Sequence, residues 1–165
     1  MIDPTGSLLP ARLRAGRVPS VRSLILAGCV LGALAPSTAG AQETAAPMDG
    51  YVTTHVLDAA QGRPAAGVQI DLFSVDGESR NLVRTVETNA DGRTDEPVIP
   101  KGELAPGIYE LVFHAGPYLE AAGLADGSPL FLDVIPIRFG IADAGEHYHV
   151  PLLLSPYSYS TYRGS

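Results

Sequence analysis

Basic residues are scarce in this sequence. Its 165 residues hold 11 Lys and Arg against 18 Asp and Glu, a formal net charge of −7. Four of those 11 are arginines within residues 1–22 (Arg12, Arg14, Arg17, Arg22), and no basic block follows them. Phosphate binding needs clustered Lys and Arg, so nucleic acid is excluded as a partner. Cysteine is nearly absent too, with Cys29 the single thiol. No disulfide framework is available, and the core or an oligomer interface has to hold the fold. There is no G-x-S-x-G elbow, no P-loop, no G-x-G-x-x-G, no heptad pattern and no internal repeat of 20–50 residues. Covalent catalysis by the usual nucleophiles is thereby excluded, which leaves water to attack. No apolar run is long enough to be a lasting membrane span.

What the N-terminal end does have is a basic stretch, the apolar run "SLILAGCVLGALAP", and small residues at Ala39 and Ala41. That order is expected of a secretory signal peptide over residues 1–41, cleaved after Ala41. "LAGC" at 26–29 offers an alternative, a lipoprotein anchored through Cys29. Cleavage after Ala41 would leave 7 basic and 17 acidic residues, a net charge of −10. It would also remove the only cysteine. Residues 42–49 read as a flexible leader, and residues 50–165 as one domain large enough for a core of its own.

That domain breaks into short strand-like pieces separated by Gly, Pro, Asp and Asn. "YVTTHVLD" alternates, with Val52, Thr54 and Val56 on one face and Thr53, His55 and Leu57 on the other. "VQIDLFSV" puts Val68, Ile70 and Leu72 inward. "NLVRTVET", "GIYELVFHA", "LFLDVIPIRFGI", "HYHVPLLL" and "YSYSTYR" continue the series. Only "PYLEAAGLADG" suggests a helical turn or two, and "AAQGRPAAG" reads as turn. Seven or eight such strands predict an all-β fold, an antiparallel sandwich or small barrel. Pro136 and Pro151 lie inside strand-like runs, which predicts edges or bulges there.

Chemistry has to come from four histidines and one turn arginine. His147 and His149 are two apart, so on a strand they share a face. Histidine changes charge near neutral pH, which suits a cluster to acid–base work. H-x-H with a third histidine, His55, is also a zinc pattern, but no carboxylate or cysteine stands beside it at ligand spacing. His114, near Tyr109 and Phe113, reads as a hydrogen-bonded or surface histidine without a part in the chemistry. Arg93, in the turn "NADGRT", could stabilise developing negative charge or clamp a planar, oxygen-rich ligand. The last eight residues, "SYSTYRGS", follow an apolar strand with a run of hydroxyls, a tyrosine and an arginine. They could be either a soluble tail or the wall of a site.

The strings "THVLD", "NADGRTD", "YELVFHAGPYL", "FLDVIPIRFGIAD" and "HYHVPLLLSPYSYSTYRGS" together resemble the 5-hydroxyisourate hydrolases, the transthyretin-related enzymes of urate breakdown. The resemblance covers residues 50–165. Hormone-carrying transthyretins share "SPYSYST" but not the Tyr-Arg-Gly-Ser that follows. They typically carry lysine for the histidine of "HVLD" and threonine for the second histidine of "HYH". The resemblance implies an eight-stranded prealbumin-like sandwich in a homotetramer, with sites at the dimer–dimer interface. It implies His55, Arg93, His149 and Ser165 as catalytic residues, with Tyr162 joining His55 and Arg93 in binding substrate. His147, Arg163 and Gly164 would support them. No metal or organic cofactor is implied. The alternative is a periplasmic small-ligand binding module on the same fold.

Overall fold

The computed structural model describes residues 49–125 and 127–164. The expected signal peptide, Cys29, most of the leader and Ser165 lie outside the described residues.

Two four-stranded sheets pack face to face. The first has the order β2-β1-β7-β8, from β1 (Tyr51–Asp58), β2 (Arg63–Pro64), β7 (His147–Ser155) and β8 (Ser158–Ser160). The second has the order β4-β3-β5-β6, from β3 (Gln69–Asp76), β4 (Ser79–Glu87), β5 (Gly107–His114) and β6 (Val134–Ile141). Alternation decides which residues face in. On β1, Val52, Thr54, Val56 and Asp58 are buried, while Tyr51, Thr53, His55 and Leu57 are half-exposed. Val52, Val56, Ile70, Leu72, Leu111, Phe113, Ile135, Leu152 and Leu154 form the middle of the core. Pairing is antiparallel except between β1 and β7, which run parallel with Tyr51 opposite His147 and Thr53 opposite His149.

The expected strands are present with shifted ends. β6 begins at Val134 rather than in the preceding "LFLD", and the two-residue β2 sits in what reads as turn. The one helix among the described residues, α1 (Ala115–Ala121), starts two residues before "PYLEAA". Pro117 falls in its first turn, where a missing N–H costs nothing. Gly123, at φ +66, ends it in the left-handed conformation that glycine tolerates.

The two prolines behave differently. Pro136 lies on β6, an edge strand, as expected. Pro151 lies on β7, which is interior by strand order, so the expected edge is corrected to a gap in one ladder. His149 N and O both bond Gly164, which places the amide side of His149, and of Pro151 two residues on, toward the C-terminal segment. Lacking an N–H, Pro151 cannot continue that ladder. The pairs Leu153–Ser160 and His149–Gly164 nevertheless share one register. The residues after β8 therefore run on along β7 as an interrupted edge strand.

One buried carboxylate ties the first sheet to the helix. Asp58 Oδ1 accepts the backbone N–H groups of Ala60 and Gln61, both at 2.9 Å, and Oδ2 accepts the Tyr118 hydroxyl at 2.8 Å. Asp58→Ala strands these donors and is expected to cost about 2–3 kcal/mol in chemical denaturation. Asp58→Asn, which keeps one acceptor oxygen, should recover part of that loss. Equal stability of Asp58→Ala and the parent protein would show that water replaces the carboxylate.

Candidate active site

The solvent-facing side of β1 and β7 gathers three of the four histidines. His55 projects from β1 and His147 and His149 from β7, all half-buried on the face opposite the core. Thr53, two residues before His55, stands between the pair on β7. Its Oγ1 is 3.0 Å from His147 Nε2 and 2.9 Å from His149 Nδ1. Tyr51 continues the row, its ring stacked on His147 with centroids 4.1 Å apart.

Arg93 flanks this row because its turn is bound to β1. Asn89 Oδ1 accepts the N–H groups of Asp91 at 3.0 Å and Arg93 at 3.2 Å, while its amide donates to Asp95 at 2.9 Å. Val56 N donates to Gly92 O at 2.8 Å, and His55 and Arg93 form a bridge. Gly92 is required here: its φ is +71, and a Cβ would lie 2.3 Å from Val56 O. On the other side of β7, Gly164 N donates to His149 O at 2.8 Å and His149 N to Gly164 O at 3.3 Å. From the Arg93 turn to Gly164 the shelf spans three strand spacings, roughly 14 Å.

Electrostatics on the shelf favour neutral imidazoles. Burial, then the positive charge of Arg93, holds His55 below the ordinary histidine value, against an upward pull from the backbone and carboxylate of Asp91. Burial, then Arg93, His55 and His147, does the same to His149. His55 Nε2 is shielded from solvent and has no hydrogen-bond partner among the described residues. Arg93 is exposed and has no ion-pair partner among them. Neutral imidazoles beside an unpaired guanidinium combine proton acceptors with a stabiliser of negative charge. Among the described residues, no three His, Cys, Asp or Glu side chains are grouped to hold a metal ion.

This fold has counterparts among known proteins. A family model described as "Transthyretin: HIUase/Transthyretin family" matches residues 52–164. The chain belongs to that family. A Rhizobium meliloti (strain 1021) relative named 5-hydroxyisourate hydrolase 2 is 61% identical over 116 residues, 70% of this chain and 97% of the relative. A solved structure of Klebsiella pneumoniae 5-hydroxyisourate hydrolase is 33% identical, covers 70% of this chain and 94% of its own, and has a TM-score of 0.56. The crystal structure of an (S)-allantoin synthase is 45% identical with a TM-score of 0.67 over 71% of this chain. The chain spans only 44% of that protein's length.

Within the family frame, the remaining residues named from the sequence fall in different places. His55, Arg93, His147, His149 and Gly164 come together on the shelf. Tyr162 stands opposite Pro151 in the register of the C-terminal segment and is 58% exposed. It also borders an apolar cavity of about 280 Å³ with Ile137, Phe139, Tyr148 and Val150. That cavity opens on the core side of β7, away from the histidines, and is not the site. Arg163 turns away from the shelf as well, its guanidinium 4.7 Å from the centroid of the Tyr148 ring and ion-paired with Glu146. It pins the segment rather than facing the histidines. His114 is on the other sheet, hydrogen-bonded to Asp71 at 2.8 Å and away from the shelf. Thr53, Tyr51 and Asn89 were not singled out in the sequence. For Thr53 the signal was its place two residues from His55 on an alternating strand.

Proposed function

We propose that this chain hydrolyses 5-hydroxyisourate to 2-oxo-4-hydroxy-4-carboxy-5-ureidoimidazoline, opening the six-membered ring at a cyclic amide bond. The observation that carries this reading is the shelf, with two histidines held toward the neutral form, an arginine that has no ion-pair partner among the described residues, and a chain segment bound to His149 through Gly164. His149 or His55 takes the proton of the attacking water, and the other histidine orients it or serves the departing nitrogen. Arg93 polarises the carbonyl and holds the oxyanion. Tyr162 hydrogen-bonds the ring, Ser165 supplies its hydroxyl to the reaction, and Arg163 and Gly164 hold the segment that carries Tyr162.

Among the described residues, Thr53, His55, His147 and His149 stay part-exposed on the outer face of the shelf. We place its missing wall on a second copy, in a homotetramer with sites between dimers, to be checked by light scattering. Export to the periplasm rests on residues 1–41. N-terminal sequencing of the mature protein separates cleavage after Ala41 from lipidation at Cys29.

The activity is tested by generating 5-hydroxyisourate from urate with urate oxidase and following its ultraviolet absorbance. Decay at the spontaneous rate in the presence of this protein overturns the proposal and leaves the small-ligand binding module. A pH dependence follows from the depressed histidines. The base works when neutral, that is above its pKa, so a lowered pKa keeps it competent at more acid pH. The acid limb of kcat/KM should therefore fall below the ordinary histidine value of about 6.5. Arg93→Ala removes one downward contribution and should move that limb up. A limb at the ordinary value in the parent, unmoved by Arg93→Ala, would assign the titration to another group.

A further inference from the structure

His147 and His149 share one hydroxyl. Thr53 Oγ1 reaches His147 Nε2 at 3.0 Å and His149 Nδ1 at 2.9 Å, because parallel pairing puts Thr53 directly opposite His149. A hydroxyl has one proton to give. If both rings donated to it, that proton would have no partner among the described residues. Donating to one ring and accepting from the other satisfies all three groups, and it ties the two tautomers together. In one direction, His149 Nδ1–H donates to Thr53 and Thr53 donates to His147 Nε2, leaving a lone pair on His149 Nε2. In the other, His149 presents Nε2–H and cannot act as a base there.

We propose that Thr53 is a positioning residue for the hydrolysis. It holds His149 in the tautomer whose Nε2 accepts the proton of water, and it relays the Nδ1 proton to His147. This rests on the proposed function and assigns its base.

The proton count closes. As the water oxygen bonds to the substrate carbonyl carbon, a water proton moves to His149 Nε2. The Nδ1 proton passes to Thr53 Oγ1, and the Thr53 hydroxyl proton passes to His147 Nε2. The net change is one proton from water to His147, while His149 stays neutral and now carries Nε2–H. It gives that proton to the departing nitrogen as the C–N bond breaks, and in concert the proton on His147 returns through Thr53 to Nδ1. A cation on His149 would be desolvated and would face Arg93 and His55. The relay puts the charge on His147 instead, against the face of the Tyr51 ring, where an aromatic face attracts a cation. The other groups around this row are Lys101, with Nζ 5.4 Å from the centroid of the Tyr51 ring, and Asp91 beside His55.

Thr53→Val keeps the shape and removes the hydroxyl, while Thr53→Ser keeps the hydroxyl. For Thr53→Val, kcat is expected to fall by about 10²-fold, the lower range for general acid–base catalysis, with KM nearly unchanged. Thr53→Ser is expected to restore most of the rate, a rescue that a purely structural role would not produce. Imidazole nitrogen NMR should find His149 protonated at Nδ1 in the parent and in both tautomers in Thr53→Val. An active parent with an unimpaired Thr53→Val, a Thr53→Ser as slow as Thr53→Val, or a parent His149 protonated at Nε2 each overturns the role alone. A parent protein that leaves substrate decay at its spontaneous rate overturns the proposed function and the role with it.

Discussion

His149→Ala and Arg93→Ala should each lower kcat/KM for 5-hydroxyisourate by about 10²–10⁴-fold, the range for removing a general base or an oxyanion donor. Stability should hardly change. His149 lies on the solvent-facing side of β7, while the core contacts of that strand come from Tyr148, Val150, Leu152 and Leu154. Arg93 is exposed, and its turn is held by its own backbone and by Asn89, so truncating its side chain leaves those bonds in place. Substitutions of this kind usually stay within about 0.5 kcal/mol. The double variant should lose less than the product of the single losses, because the two groups act on one transition state. His114→Ala is the control: its side chain bonds Asp71 on the other sheet, and the rate should not change. Full rate in both His149→Ala and Arg93→Ala would refute the site even if the protein proved active.

The parts of this site carried by short-range pattern were legible in the sequence. Alternation in "YVTTHVLD" put His55 and Thr53 on one face of β1, and the two-residue spacing in "HYH" did the same for His147 and His149. What alternation cannot say is which strands are neighbours. Thr53 and His149 are 96 residues apart, and no local rule predicts a parallel pair in a sheet otherwise built antiparallel. The part played by Thr53 was therefore hidden although its face was known. The same gap explains Pro151, whose missing N–H matters only once the chain beyond β8 is known to run alongside it. For Arg163, the sequence placed the residue in the right segment. Its direction depends on Tyr148 and Glu146, which the register alone brings within reach.

Adding a single methyl group at Gly164 should cost far more activity than its size suggests. A Cβ there would lie 2.8 Å from His149 Cδ2 and 3.0 Å from His149 Cβ, closer than such carbons ordinarily approach. Something has to move in Gly164→Ala. If the imidazole swings aside, it loses the 2.9 Å contact with Thr53 and leaves its position over the shelf. If the chain segment lifts away, both backbone bonds between Gly164 and His149 go, and Tyr162 moves with them. Either displacement is on the order of 1 Å, enough to cost about 10²-fold in rate at a reacting centre. The melting temperature should hold, because only an edge segment outside the core is disturbed. The two routes separate by measurement: lifting exposes the His149 amide to hydrogen exchange, while a swung ring leaves that amide protected and shifts the imidazole resonances. Gly164→Ala with full activity and an unshifted His149 would mean that this stretch is only a tail lying beside the site.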